Sequence, residues 1–160
     1  MPRKFLNAAV IFVETKIRGR CLISVQQKQN RKPVILCAGP EADGIASLLK
    51  REGYDVAFVR NGLEAWRWLF SKSFDLLIAP IGLAGLDGIR LAERIRLLWI
   101  PTPLLFLSRI GDPFSRVQRA RLGIAGILKC DCASHVLLAA VRATLDTAGK
   151  FPSLSPSLAN

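Results

Sequence analysis

The residues of this chain that could do chemistry are sparse, and the most informative stretch holds few of them. From Phe74 to Gly88 the sequence FDLLIAPIGLAGLDG places two carboxylates, Asp75 and Asp87, on either side of an apolar run that ends at Pro80. In open α/β sheets, ligands bind and reactions occur at the carboxyl ends of the strands. Because Pro80 has no charge, no donor and no nucleophile, this strand end predicts no catalytic group.

The other reactive side chains also lack a recognisable arrangement. Cys130-Asp131-Cys132 supplies two thiols, whereas a structural zinc site has four ligands. His135 is the only histidine, and no serine or cysteine nucleophile stands beside it in a known motif. We therefore interpret the cysteine pair as part of a turn, and we expect no metal, no cofactor and no enzymatic activity.

The overall composition indicates one domain with tails. The chain has 160 residues and is 51% hydrophobic, which is enough to bury a core. No apolar run reaches the roughly 18 residues that a membrane-spanning helix needs, so no membrane association is expected. Four cysteines are too few for a disulfide framework, and the N-terminus is a poor secretory signal. These features predict a cytoplasmic protein with reduced thiols.

The positive charge is concentrated at the N-terminus. The formal net charge is +11, and residues 1–33 hold eight lysines and arginines against one acid. Residues 34–148 hold fourteen against eleven, so the folded body is only mildly basic. A contact between the basic segment and the phosphates of nucleic acid or anionic lipid is one alternative function.

We place this N-terminal extension at residues 1–32 and leave its structure open. Val10–Thr15 and Cys21–Gln26 are β-prone runs that could pair as a hairpin. A disordered arm is an equal alternative, because a lone hairpin is marginally stable in water. A third alternative is that the true start lies downstream and the segment is upstream sequence read in frame.

From Pro33 onward, short apolar runs alternate with segments of helical periodicity. The predicted strands are Val34–Ala38, Tyr54–Val59, Leu76–Ala79, Leu104–Leu107 and Ile124–Lys129. Helices follow them, with Pro40 at the first position of the first helix and Asn61, Asp87, Asp112 and Ser134 as N-caps of the others. We expect Leu98 and Val136 among the inward-facing residues.

This alternation predicts a doubly wound α/β fold over residues 33–147. Short strands joined through helices by right-handed crossovers give a five-stranded parallel sheet with helices on both faces. The expected strand order is 2-1-3-4-5, which is flavodoxin-like. Residues 148–160 are rich in proline and serine and are expected to form a disordered tail.

The segment from Pro33 to Leu145 resembles the receiver domain of two-component response regulators. EGYDVAFVRNGLEAWRWL is similar to the second strand and helix of that family, and FDLLIAPIGLAGLDGIRLAERIR to its third strand, loop and helix. IPTPLLFLS is similar to its fourth strand and RLGIAGILK to its fifth. The resemblance implies a strand-end aspartate that accepts a phosphoryl group, with Mg²⁺ held by that aspartate and an acidic pair. It also implies a Ser/Thr and a Lys that contact the phosphoryl oxygens.

Most positions that the resemblance assigns to this reaction hold other residues. The phosphoacceptor would fall on Pro80, and the acidic pair on Gly39 and Pro40. Proline and glycine side chains supply neither a carboxylate nucleophile nor the hard oxygen ligands that Mg²⁺ prefers. Ser108 and Lys129 do match the Ser/Thr and Lys positions. They could contact an anion, or they could be leftovers of descent.

Two acids in the same stretch do not replace the missing carboxylate. Asp75 begins the third strand and therefore lies at the opposite end of the sheet. Asp87 stands directly before Gly88-Ile89, where helix capping explains it. Neither is expected to accept a phosphoryl group.

The resemblance also implies an interaction surface. In the family, the face made by the fourth helix, fifth strand and fifth helix is the usual surface for homodimers and output partners. The predicted fourth helix carries Arg116, Arg119 and Arg121, and the first two are one turn apart and could share an exposed side. A solvated helix face is the alternative reading of these arginines.

We therefore expect a non-catalytic, receiver-like signalling module that acts by phosphorylation-independent protein–protein contact in two-component phosphorelay signalling. A homodimer through the fourth-helix face is one form that this contact could take. No fused DNA-binding domain is expected, because little sequence follows Leu145. The alternatives are a conventional phosphorelay receiver and a nucleic-acid-associated protein that acts through residues 1–33.

Overall fold

The structure, a computed structural model, describes residues 10–17, 20–27 and 32–148. Over these residues the chain forms seven strands and five helices. Their bounds are β1 Val10–Ile17, β2 Arg20–Gln27, β3 Val34–Ala38, α1 Ala42–Arg51, β4 Asp55–Val59, α2 Gly62–Ser71, β5 Leu76–Pro80, α3 Gly88–Leu97, β6 Leu104–Ser108, α4 Arg116–Leu122, β7 Ile124–Lys129 and α5 Ser134–Ala148.

The chain divides into two compact units between Lys32 and Pro33. In the first unit β1 and β2 pair antiparallel, with Val10 opposite Gln27 and Ile17 opposite Arg20. The β-prone runs noted in the sequence lie within these two strands. The rest of the extension, and the predicted tail from residue 149 onward, lie outside the described residues.

The second unit contains a five-stranded parallel sheet in the order β4-β3-β5-β6-β7. Counted from β3, this is the predicted order 2-1-3-4-5, so the predicted fold class is confirmed. The central strands are buried on both faces, and consecutive residues alternate between two apolar clusters. Leu77 packs into a cluster with residues of α2 and α3, and its neighbour Ile78 packs with residues of α1 and α5. This alternation follows from the two-residue period of a strand.

Two of the predicted helix starts are confirmed by hydrogen bonds. The side chain of Asn61 accepts from the backbone N–H of Glu64 at 2.9 Å, and that of Asp87 accepts from Ile89 at 2.9 Å. These caps satisfy backbone donors that lack partners in the first turn.

The predicted start of α4 at Asp112-Pro113 is wrong. The helix begins at Arg116, because Ser115 and Gln118 form a capping box in which each side chain accepts from the other residue's backbone N–H. The Asp112 carboxylate instead accepts from the N–H of Phe114 at 3.0 Å. That bond closes a local turn, which is the usual competitor of a cap for aspartate.

The predicted starts of α1 and α5 are also displaced. Pro40 lies in the turn before α1, whose N-cap is Glu41 without a side-chain hydrogen bond. Ser134 is the first residue of α5 rather than its cap, and the backbone carbonyl of Ala133 accepts from the N–H of Val136. In both cases the preceding turn, and not the cap residue, sets where the helix begins.

Two residues expected to face inward are partly exposed instead. Leu98 is 46% exposed because it is the C-cap of α3 and lies beyond the last buried turn. Val136 is 40% exposed, since Leu137 and Val141 occupy the buried side of α5. The helical period places Val136 about 100° away from Leu137 around the axis.

Candidate functional site

The carboxyl edge of the sheet brings the predicted site positions together. We use this name for the set Gly39, Pro80, Ser108 and Lys129, each of which ends or directly follows a strand. Pro80 pairs with Leu107 in the register of β5 and β6, and Ser108 pairs with Lys129 in that of β6 and β7. Pro40 follows Gly39 in the turn toward α1.

Gly39 and Pro80 lie against each other at the centre of this edge. The backbone of Gly39 has φ +110°, a region that L side chains rarely adopt. A Cβ atom at this position would stand 2.9 Å from both Cγ and Cδ of the Pro80 ring, and 3.4 Å from Leu83 Cδ1. The ring and the leucine therefore occupy the space into which a side chain at position 39 would extend.

The loop between β5 and α3 is held by backbone hydrogen bonds on both sides. Ile81 N–H donates to Leu107 O at 3.0 Å, and Gly88 N–H donates to Ile81 O at 3.0 Å. Gly62 N–H, at the start of α2, donates to Ala84 O at 2.9 Å. A Cβ at Gly62 would lie 2.0 Å from the Leu86 carbonyl oxygen, so only glycine permits this approach. These bonds fix the loop without any bound ion.

The acids nearest in sequence to this edge have other partners. Glu41 forms an exposed ion pair with Arg109 at 3.9 Å. Asp75 lies at the other end of β5, where its carboxylate accepts from the N–H of Val34 at 2.8 Å. Within residues 32–148, no group of three or more His, Cys, Asp and Glu side chains is placed to hold a metal ion.

Ser108 and Lys129 occupy adjacent strand ends but differ in environment. Ser108 is 4% exposed, and its Oγ accepts from the N–H of Ile110 at 3.3 Å. Lys129 is exposed and takes part in none of the ion pairs between described residues. The hydroxyl is therefore bound to its own loop, whereas the ammonium faces solvent.

The cysteines are free thiols in the described residues. Burial raises the pKa of Cys37 to about 12, and the nearby charge of Lys50 opposes this shift. Burial and the negative charge of Asp131 raise the pKa of Cys132. Cys130 and Cys132 line a groove of about 230 Å³ beside α1 and α5. The raised pKa values leave the thiols of Cys37 and Cys132 protonated and weakly nucleophilic at neutral pH.

The predicted arginine face of α4 is only partly arranged as expected. Arg116 and Arg121 are exposed, but Arg119 forms an ion pair with Asp112 and its Nε is buried without a hydrogen-bond partner. Arg119 is therefore held against the loop before α4 and does not share a free side with Arg116. Val117 is 76% exposed and Ile110 is 90% exposed, so this face is more apolar than the sequence indicated.

Arg96 is a polar contact that the sequence reading missed. Its guanidinium donates to the carbonyls of Leu122 at 2.8 Å, Ile100 at 2.5 Å and Thr102 at 2.6 Å. These acceptors surround the amino ends of β6 and β7, at what we call the amino edge of the sheet. Burial lowers the pKa of Arg96. Ile100 and Thr102 follow Arg96 by four and six residues, whereas Leu122 lies 26 residues away, so no local motif predicts the complete contact.

The strand order and the helices on both faces define a doubly wound, flavodoxin-like α/β domain. Within that class, the chain belongs to the response regulator receiver domain family, whose sequence profile matches residues 41–142. The chain is therefore a receiver domain of the kind found in two-component response regulators, and such domains interact with other proteins.

Individual relatives agree with this assignment. Response regulator RppA of Synechocystis is 30% identical over 131 residues, which are 79% of this chain and 56% of that protein. Transcriptional regulatory protein DltR of Streptococcus agalactiae is 26% identical over 63% of this chain and 45% of that protein. The chain thus spans about half the length of these curated relatives.

Solved structures show the same fold. A CheY-like receiver domain protein from Methanospirillum hungatei superposes with a TM-score of 0.68 at 20% identity, covering 75% of this chain and 98% of that one. The signal receiver domain of an HD domain-containing protein from Pseudomonas fluorescens superposes with a TM-score of 0.65 at 27% identity, covering 76% and 100%. Among the described residues of this chain, no helix has the length and apolarity to cross a membrane.

Proposed function

We propose that this chain is a receiver-like module that takes up no phosphoryl group and signals by phosphorylation-independent protein–protein contact. The observation that carries the proposal is the contact between Gly39 and Pro80 at the carboxyl edge. By the resemblance to the family, these positions correspond to one of the metal-binding acids and to the phosphoacceptor. Here they present only a backbone and a saturated ring.

The chemistry of aspartyl phosphorylation supports this reading. The reaction needs a carboxylate nucleophile, and Mg²⁺ needs oxygen ligands to neutralise the transferred group. The Pro80 ring and Leu83 fill the space above Gly39 with carbon atoms. Glu41, the nearest acid in sequence, is paired with Arg109. Ser108 and Lys129 supply a donor and a charge, but no carboxylate that could form an acyl phosphate.

The fixed loop between β5 and α3 supports a function without a phosphorylation switch. Its backbone bonds connect Ile81 to β6 and Ala84 to α2. The face of α4 that carries Arg116, Val117 and Arg121 supplies an exposed surface of mixed apolar and basic character. A partner or a second copy bound at this face would contact a surface whose conformation does not change with phosphorylation. The cytoplasmic location expected from the sequence stays a prediction.

Incubation with Mg²⁺ and acetyl phosphate, followed by intact-protein mass spectrometry, tests the absence of phosphoryl uptake. We expect an unchanged mass. A receiver that has the strand-end aspartate, treated in the same way, is the positive control. A hydroxylamine-labile gain of about 80 Da that requires Mg²⁺ would overturn the proposal and favour the conventional receiver.

The contact surface is tested separately by sedimentation velocity over a wide range of protein concentration. If the α4 face forms a homodimer, Val117→Asp abolishes it, whereas Leu63→Asp on α2, at an exposed leucine outside that face, leaves it intact. The same dimer must form with and without acetyl phosphate. Dimerisation that appears only with the phosphodonor would contradict the proposed independence from phosphorylation.

A further inference from the structure

The C-terminal end of α3 contains a backbone anomaly at Trp99. Ile100 N–H donates to Ile95 O and Trp99 N–H donates to Arg96 O, both at 3.1 Å. These two bonds define a Schellman motif, whose left-handed position is usually glycine. Trp99 occupies that position with φ 57°, and it is the only non-glycine residue with positive φ among those the structure describes.

Local stability does not explain a tryptophan at this position. An L side chain in the left-handed region costs roughly 1–2 kcal/mol. Burial of the indole could offset that cost, but Trp99 is 67% exposed. Strained backbone that persists without local compensation is characteristic of functional positions. The strain holds the indole of Trp99 outside the fold, where it is available to another molecule.

Trp99 belongs to a larger exposed apolar surface. Leu97 is 77% exposed and Leu98 is 46% exposed. Phe70, near the end of the neighbouring helix α2, is 69% exposed. Since α2 and α3 each follow a strand of the same parallel sheet, both helices end toward the amino edge. We call these four residues, Phe70, Leu97, Leu98 and Trp99, the amino-edge patch.

Two cations lie near the ends of α2 and α3, and neither forms an ion pair with another described residue. Arg94 lies over the Trp66 ring at 6.0 Å, and the same ring lies 6.1 Å from Phe70, so the guanidinium borders the patch. Lys72 lies over the Trp68 ring at 4.4 Å. Neither cation takes part in an ion pair with another described residue. Interaction with the helix C-terminus favours a positive charge at such positions but leaves the charge accessible.

The charges argue against an occupant from this chain. A second copy would bring the same cations to the interface and be repelled. Residues 1–31 hold seven lysines and arginines with Glu14 as their one acid, and residues 149–160 hold Lys150 and no acid. An acidic segment of another protein supplies the complementary charge most directly.

The side chains favour protein over nucleic acid or lipid. Trp99 and Phe70 offer faces for bases, but Leu97 and Leu98 provide no stacking surface, and the Trp66 and Trp68 rings already carry cations. Insertion into lipid is non-directional and does not require a tryptophan in one strained conformation. Tryptophan and arginine together are the residue types most enriched at the centres of protein interfaces.

We propose that the amino-edge patch docks an acidic, amphipathic segment of another protein. Apolar side chains of that segment contact Trp99, Leu98 and Phe70, while its carboxylates pair with Arg94 and Lys72. The site lies at the other end of the sheet from the carboxyl edge. It is also separate from the α4 face, so it does not depend on the function proposed above.

An NMR titration of the full chain tests this site. The probe is a synthetic helical peptide with leucines at positions i, i+3, i+4 and i+7 and glutamates on its other faces. The control peptide has the same composition in scrambled order. We expect saturable binding that weakens with added salt, with amide shifts confined to residues 66–72 and 94–100. The scrambled peptide is expected to bind at least about tenfold more weakly.

Trp99→Gly separates docking from folding. The substitution relieves the left-handed strain, so stability in urea rises or stays equal, while affinity for the peptide falls at least about tenfold. Val136→Ser, which removes an exposed apolar residue of α5, leaves the affinity unchanged. Equal binding by Trp99→Gly, shifts centred on α4, or no saturable binding would each overturn the proposal. So would tighter binding to phosphatidylcholine–phosphatidylserine vesicles or to single-stranded DNA than to the peptide.

Discussion

The two edges of the parallel sheet differ in the charge that they bury. At the carboxyl edge, Gly39 and Pro80 meet in a contact that contains no charge. At the amino edge, the guanidinium of Arg96 is buried among backbone carbonyls from several segments. At the centre of the carboxyl edge, where α/β domains usually bind ligands, the space is thus occupied by carbon atoms. At the amino edge, the structure depends on a buried ion. In this chain, buried charge marks a structural role and not a reactive one.

The largest expected effect comes from removing the cation of the amino edge. Arg96→Met leaves the carbonyls of Leu122, Ile100 and Thr102 without their donor, and we expect a loss of about 3 kcal/mol in the free energy of unfolding. Urea denaturation measures it. Arg94→Met, on the exposed side of the same helix, is the matched control and should cost less than about 1 kcal/mol. Equal effects of the two substitutions would show that the buried contact has no special weight.

The next effect tests the contact at the carboxyl edge. Gly39→Ala places a methyl group against the Pro80 ring on a left-handed backbone, and we expect a loss of about 2 kcal/mol. Pro80→Ala should remove the part of this loss that comes from the clash with the ring. A double-mutant cycle of Gly39→Ala and Pro80→Ala should therefore give a coupling free energy of about 1 kcal/mol.

Gly44→Ala provides the control for this cycle. Gly44 lies in α1, where an added Cβ meets nothing within 4 Å. We expect this variant to be as stable as the parent or slightly more stable, by about 0.5–1 kcal/mol, because alanine favours the helix. A Gly39–Pro80 coupling near zero would mean that the ring and the glycine do not constrain each other.

A smaller effect depends on pH. The folded-state pKa of Cys37 is about 12 against an ordinary value of 9.0, so the unfolded chain loses the thiol proton first. The contribution of Cys37 to stability is therefore complete below pH 9 and declines as the pH rises toward 12. The decline should be about 1 kcal/mol between pH 9 and pH 10. Cys37→Val should lack this component in parallel urea titrations, and identical pH profiles would refute it.

The last substitution is expected to leave phosphoryl uptake unchanged. Pro80→Asp supplies one carboxylate but leaves Gly39 and Pro40 unchanged, so Mg²⁺ still lacks ligands and we expect no phosphoryl adduct with acetyl phosphate. Phosphoryl uptake by this single variant would show that one acid is sufficient. It would also show that residue 80 alone decides whether the carboxyl edge can accept a phosphoryl group.

The sequence was sufficient for the sheet because its signal is local and repeated. Each buried strand is a short apolar run bounded by a turn, and the order follows from general rules of connection. It was also sufficient to bring Pro80, Ser108 and Lys129 to one edge, because parallel strands end on the same side. The helix starts were harder, since Asp112 can close a turn as readily as it can cap a helix. The capping box of Ser115 and Gln118 was visible three residues later and was the better signal.

Contacts between distant segments could not be predicted from the sequence. Arg96 lies 26 residues before one of its acceptors, Leu122, and no periodicity relates the two. The pairing of Arg119 with Asp112 depended on the true start of α4, so the sequence could not show that Arg119 does not lie beside Arg116 on an exposed side. The positive φ of Trp99 could not be predicted, because no glycine at the end of α3 marks the left-handed position in the sequence.

The contact of Gly39 with the Pro80 ring also makes the order of substitutions matter for evolution. A carboxylate at position 39 meets the ring at 2.9 Å, so it is disfavoured for as long as the proline remains. Replacing the proline first gives an isolated carboxylate with no metal to neutralise it. Each single step toward a charged edge is thus expected to cost stability until the other has occurred.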